Sequence, residues 1–93
     1  MKVYITRMIP ESGIDLLKNA GHEVKLFQKN RPIKTTELLR EAKDADALIS
    51  LLTDKIDDHV LSKLPKLKIV SNFAVGYNNI DVAAASKRNI MVT

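Results

Sequence analysis

The stretch with most chemical promise is Ala74-Val75-Gly76, followed by Tyr77-Asn78-Asn79. Its first three side chains are small and one is glycine, so main-chain N–H groups can approach a ligand closely. Between a strand and a helix N-terminus, such amides and the positive end of the helix dipole suit an anion. A carboxylate fits best, and no charged side chain is needed. The same residues also suit a plain strand-to-helix turn in which Gly76 only supplies a positive φ, the more ordinary use of such a segment. Composition and spacing leave both readings open.

Other chemistry-bearing residues are isolated. His22 and His59 have neither a second histidine nor a carboxylate at helical spacing, so no metal site is expected. Ser12, Ser50, Ser62, Ser71 and Ser86 lack a nucleophile-elbow context, and no catalytic residue is assigned. Arg7 is read as a surface ion-pair partner, and Asp54-Lys55 as a solvated turn. Neither G-x-G-x-x-G nor G-x-x-x-x-G-K-[ST] occurs, so the chain carries no dinucleotide fingerprint and no P-loop.

The bulk composition narrows the class. Ninety-three residues, 45% apolar, support one packed core of modest stability, and the absence of cysteine excludes a disulfide scaffold and a thiolate site. The net charge of +4 comes from 15 Lys/Arg interleaved with 11 Asp/Glu, not from a basic stripe. Lys63, Lys66 and Lys68 form the nearest thing to a cluster, around Pro65. With Tyr4, Phe27, Phe73 and Tyr77 as the only aromatics, nucleic-acid binding is not expected. No apolar run approaches the roughly 20 residues a membrane span needs, and no signal-peptide pattern opens the chain. The expectation is a cytoplasmic domain without a membrane partner.

The elements that must position the loop follow from apolar spacing. Val3–Thr6 reads as a strand. Pro10 opens a helix in which Ile14, Leu17 and Ala20 form a stripe widened by Leu16, and Gly21 closes it. His22–Phe27 alternates as a strand, and Thr35 or Thr36 caps a helix carrying Leu38, Leu39 and Ala42. Ala47–Leu52 is nearly all apolar, as a strand buried on both faces should be. Asp57 caps a short helix that Pro65 stops, and Leu67–Phe73 is the fourth strand. Asn78 or Asn79 opens a helix running to Arg88, before a fifth strand at Ile90–Val92. Strict β-α alternation predicts an α/β fold: a flavodoxin-like, doubly wound, parallel five-stranded sheet in the order 2-1-3-4-5. Ligands of such sheets sit beyond the carboxyl ends of the strands, which is where the 74–79 loop falls. The clustered acids of a response-regulator receiver and the hydroxyl-rich phosphate loop of a flavodoxin are both missing from that edge.

Four segments in order, Lys2–Arg7 with Ile9-Pro10-Glu11, Leu51–Lys55, Pro65–Val70 and Ala74–Asp81, resemble the N-terminal part of D-isomer-specific 2-hydroxyacid dehydrogenases, closest to glyoxylate and hydroxypyruvate reductases. The resemblance spans essentially the whole chain. It implies that residues 1–93 are the N-terminal portion of a substrate-binding domain. The main-chain amides of Val75 and Gly76 would hold the carboxylate of a small 2-oxo or 2-hydroxy acid, and Leu52 would line the pocket. Asn78 departs from the aspartate usual in the family. The resemblance also implies NAD or NADP in a complete enzyme, bound by a domain that lies outside this chain. The 93 residues alone are then expected to bind no cofactor and show no turnover. Homo-oligomerisation is expected from an uncovered apolar sheet face. The competing reading is a stand-alone, non-catalytic module used for carboxylate binding or oligomerisation.

Overall fold

A computed structural model describes residues 1–7, 9–73 and 79–93. Five short strands alternate with four helices: β1 (Lys2–Ile5), α1 (Glu11–Asn19), β2 (Glu23–Leu26), α2 (Thr35–Glu41), β3 (Ala47–Ser50), α3 (Asp58–Ser62), β4 (Ile69–Asn72), α4 (Val82–Lys87) and β5 (Met91–Val92). All four strand pairings are parallel, in the order β2-β1-β3-β4-β5. The expected fold class and strand order are those observed.

This order divides the helices unequally. The chain moves one way from β1 to β2 and the other way from β2 through β5, so right-handed crossovers put α1 on one face and α2, α3 and α4 on the other. The packing follows. Tyr4, Leu48 and Val70, aligned across β1, β3 and β4, form the main core with Leu38, Val60, Leu61, Ala84 and Ala85. The opposite face carries a smaller cluster of Val3, Ile5, Ala47 and Ile14 of α1. Along the row Val3–Ala47–Ile69–Met91, exposure is 5% and 8% at the first two residues, and reaches 63% at Met91. One helix shields about two strands, because a helix is roughly 10 Å wide and strands lie about 4.8 Å apart. The β4–β5 half of this face therefore has no helix over it among the described residues.

Several local expectations hold for the reasons given. Asp57 caps α3, accepting from Val60 N at 3.0 Å. Gly21 closes α1 with φ of +89°, a conformation that a Cβ disfavours. Others need correction. The strand expected over Ala47–Leu52 ends at Ser50 and leaves Leu52 49% exposed. Leu16 does not widen the buried stripe of α1 but is 71% exposed, because α1 rests on the sheet through Ile14 and Leu17. The residue preceding α2 is Lys34, not a threonine. Glu37 in the first turn reaches back to the Lys34 N–H at 3.0 Å, so a carboxylate, not a hydroxyl, satisfies the helix start. And α4 starts at Val82, with Asp81 as its cap accepting from Ala84 N at 3.0 Å. Asn79 instead serves a different purpose.

Candidate functional site

The carboxyl ends of β1, β3 and β4 meet in one polar cluster. Thr6 and Ser50 are fully buried and Asp54 is 3% exposed. Asp54 Oδ2 accepts from the Thr6 hydroxyl and from Leu51 N, the latter at 2.8 Å. Asp54 N donates in turn to Leu51 O at 2.9 Å, closing a tight turn after β3. The second carboxylate oxygen, Oδ1, is buried with no hydrogen-bond partner among the described residues.

The expectation of a solvated Asp54-Lys55 turn is therefore half wrong. Lys55 is exposed and Asp54 is not. A buried carboxylate needs donors, and Thr6 supplies one from 48 positions earlier in the chain, a pairing that no local pattern announces.

Next to this turn lies an amide relay. Asn79 Nδ2 donates to Leu51 O at 3.0 Å and to Asp54 O at 2.7 Å. Asn79 Oδ1 accepts from Asn72 Nδ2 at 2.9 Å, and Asn72 Oδ1 accepts from Ser50 Oγ at 2.9 Å. Main-chain bonds reinforce the arrangement. Ile56 N donates to Asn79 O at 3.0 Å and Asp81 N to Ile56 O at 2.9 Å, forming a parallel bridge between Ile56 and Ile80 just beyond the strands. On the other side Phe73 N donates to Ser50 O at 2.7 Å. Sequence reasoning missed Asp54, Asn72 and Asn79 as members of one cluster. Its nearest available signal was the Asn-Asn pair at 78–79, which it assigned to a helix cap.

Leu52 stands at this edge, directly after β3 and 49% exposed, with Phe73 at the end of β4 54% exposed. Two large apolar side chains thus face solvent beside the polar cluster, an arrangement suited to walling a small ligand. Val75 and Gly76, the expected carboxylate donors, lie outside the described residues, as does Asn78. Arg7 makes no ion pair among the described residues; its Nη2 lies 3.4 Å from Asn30 Oδ1, so the expected surface ion pair is replaced by a weak bond to a neutral amide. Arg31, in the loop after β2, sits 5.2 Å from the Phe27 ring centre and pairs with both oxygens of Glu37 at 2.8 Å. That pairing holds the Glu37 carboxyl down at about 2.

Elsewhere a groove of about 410 Å³ opens between α2 and the β1–β2 edge, lined by Tyr4, Glu41 and Asp44 among others. Burial, and secondarily the Glu41 charge, push the Tyr4 phenol well above its usual range. The groove runs along the starts of β1 and β2, away from the carboxyl-edge cluster, so it does not serve the loop chemistry. Among the described residues no group of three or more His, Asp or Glu could hold a metal ion, and no helix is long and apolar enough to cross a membrane. Of the described glycines, Gly13 lies in the first turn of α1 and Gly21 in the turn that closes it.

Comparison with known proteins gives one consistent answer. Residues 3–93 match the family model "D-isomer specific 2-hydroxyacid dehydrogenase, catalytic domain". The chain is 48% identical over 92 residues to a glyoxylate reductase of Pyrococcus furiosus, covering 99% of this chain and 27% of that enzyme. Among solved structures, a protein of Thermus thermophilus superposes over 100% of this chain and 30% of its own, with a TM-score of 0.93 and 33% identity. An NAD+-bound 3-phosphoglycerate dehydrogenase of Entamoeba histolytica matches 99% of this chain and 32% of its own, with a TM-score of 0.84 and 31% identity. The chain thus spans about a quarter to a third of the length of the proteins it resembles.

Proposed function

Because this chain belongs to the D-isomer specific 2-hydroxyacid dehydrogenase family, we propose that residues 1–93 are the N-terminal portion of the substrate-binding domain of an NAD(P)-dependent reductase. Its substrate is a small 2-oxo acid, glyoxylate or hydroxypyruvate. The observation that carries this reading is the 48% identity, over nearly the whole chain, to a protein named glyoxylate reductase.

The chemistry assigned to these residues is binding and orientation. The amides of Val75 and Gly76 hold the substrate carboxylate, and Leu52, exposed at the carboxyl edge, forms an apolar wall that suits a two- or three-carbon acid. The nicotinamide supplies hydride in the complete enzyme and is bound by polypeptide other than this chain. No proton-transferring group is assigned here. Orientation alone is a substantial contribution, since fixing the carboxylate aligns the carbonyl for hydride attack.

The test is NADH and NADPH oxidation by the full polypeptide that contains these residues, with glyoxylate and hydroxypyruvate as substrates. Turnover with either supports the reading. Failure with both, by protein that binds the cofactor, contradicts it. The 93-residue chain alone is expected to give no turnover.

A further inference from the structure

Leu52 and Thr53 form the exposed tip of the turn after β3, and the residues on either side of them are bonded at every main-chain polar atom. Leu51 N donates to Asp54 Oδ2 at 2.8 Å, and Asp54 N donates to Leu51 O at 2.9 Å. Asn79 Nδ2 spans the mouth of the turn, donating to Leu51 O at 3.0 Å and to Asp54 O at 2.7 Å. Two of these four atoms are therefore engaged by a side chain that arrives 28 and 25 positions later in the chain.

Each arm of this clamp is anchored elsewhere. Asp54 is held by the Thr6 hydroxyl at the end of β1. Asn79 is held through its side-chain oxygen by Asn72 at 2.9 Å and through its carbonyl by Ile56 N at 3.0 Å. The orientation of the Asn79 amide is forced, because a group this close to two carbonyl oxygens must be a donor. Burial of the tip does not account for the clamp, since Leu52 keeps about half its surface in water. An exposed leucine on a fixed backbone is instead suited to sensing the size of a ligand beside it, because a wall that cannot retreat excludes what does not fit.

We propose that Asn79 is a positioning residue for Leu52: together with Asp54 it fixes the 51–54 turn, so that Leu52 stays in one place and limits the length of the 2-oxo acid accepted. This deepens the proposed function and rests on it, because the pocket wall at Leu52 belongs to that reading. In this role Asn79 touches no substrate and acts through the turn it spans. With the clamp open, Leu52 yields to a longer chain and the discrimination weakens.

The experiment measures kcat/KM for glyoxylate, hydroxypyruvate and the longer 2-oxopentanoate in the full polypeptide, as wild type, Asn79→Ala, Leu52→Ala and the double variant. Each single variant should lower the preference for the shorter acids roughly tenfold, the scale on which apolar pockets separate substrates by chain length. The double variant should show little further loss, because Asn79 acts through Leu52. The KM for the nicotinamide should stay within about twofold of wild type; a rise alongside the lost preference is the signature of general loosening and overturns the proposal. It is also overturned by a wild type that accepts short and long acids equally, by a preference unchanged in either single variant, or by losses that multiply in the double variant. Should Asn79→Ala not fold, Asn79→Ser replaces it, offering one hydroxyl proton where two carbonyls need donors. If wild type reduces no 2-oxo acid, the functional reading itself fails, and hydrogen exchange of the Leu51 and Asp54 amides in the same variants decides the clamp. Exchange faster there than across the sheet supports it. Exchange unchanged there, or raised equally everywhere, overturns it.

Discussion

The Thr6 hydroxyl donates to the Asp54 carboxylate across 48 positions of sequence, joining the end of β1 to the turn after β3 in a place solvent barely reaches. This pair ties the carboxyl end of β1 to the turn after β3. A buried carboxylate needs donors, and Thr6 and Leu51 N supply two, both to Oδ2.

Replacing Asp54 with alanine leaves the Thr6 hydroxyl and the Leu51 N–H buried without an acceptor, at about 1–3 kcal/mol for each orphaned donor. Thr6→Val removes one donor at nearly constant shape and should cost about 1.5–3 kcal/mol, as hydrogen bonds to charged groups do. The double variant should lose less than the sum, because the two residues share the interaction. Urea denaturation of the four proteins measures this. Strict additivity would mean that the pair does not interact in solution.

The Arg31–Glu37 pair sets a pH dependence. Glu37 is lowered from 4.5 to about 2, first by its bond to Arg31 and then by the Lys34 N–H. A carboxylate whose folded pKa is depressed stabilises the fold above its unfolded pKa and loses that contribution as pH falls through the folded value. The loss should therefore run from about pH 4.5 down to about pH 2. Asp46, lowered by the Lys2 N–H above all, acts in the same direction. Thermal melts of wild type and Glu37→Gln should differ at pH 6 and converge towards pH 2. A gap that persists at pH 2 would assign the difference to something other than ionisation.

We expect the 93-residue chain to self-associate through the face opposite α2, α3 and α4. Ile69 and Met91 lie in one row of that face, and Met91 is 63% exposed. Contiguous apolar surface of this kind favours burial against a second surface. Sedimentation across micromolar to millimolar concentration should show association of the chain, weakened by Met91→Lys. A clean monomer at every concentration would contradict it.

The strands, their order and the main core were legible because β-α alternation and the apolar run of β3 are strong, local signals. The site was legible only in part. Leu52 follows β3 at the carboxyl edge and is exposed there, while the pocket-lining role that the resemblance implies for it stays a proposal. Asp54 was misread because an acid beside a lysine in a turn has the composition of a solvated loop, whereas its burial comes from Thr6 far away in sequence. Asn79 was misread for a related reason. An asparagine ahead of an alanine-rich run looks like a helix cap, but Asp81, two residues later, takes that position and frees Asn79 to bridge two strands' ends. Leu16 failed because apolar spacing marks a face without saying how wide the surface beneath it is.

The most direct measurement is the response of the Val75 and Gly76 amides to a substrate carboxylate. The full polypeptide, labelled with 15N at valine and glycine and saturated with nicotinamide cofactor, would be titrated with the unreactive 2-oxo acid analogue oxamate while amide resonances are followed. Saturable shifts of Val75 and Gly76 should exceed that of Gly21, which lies in the turn between α1 and β2 at the amino edge of the sheet. Shifts absent at Val75 and Gly76, with oxamate still inhibiting, would place the carboxylate elsewhere and contradict its assignment to those amides.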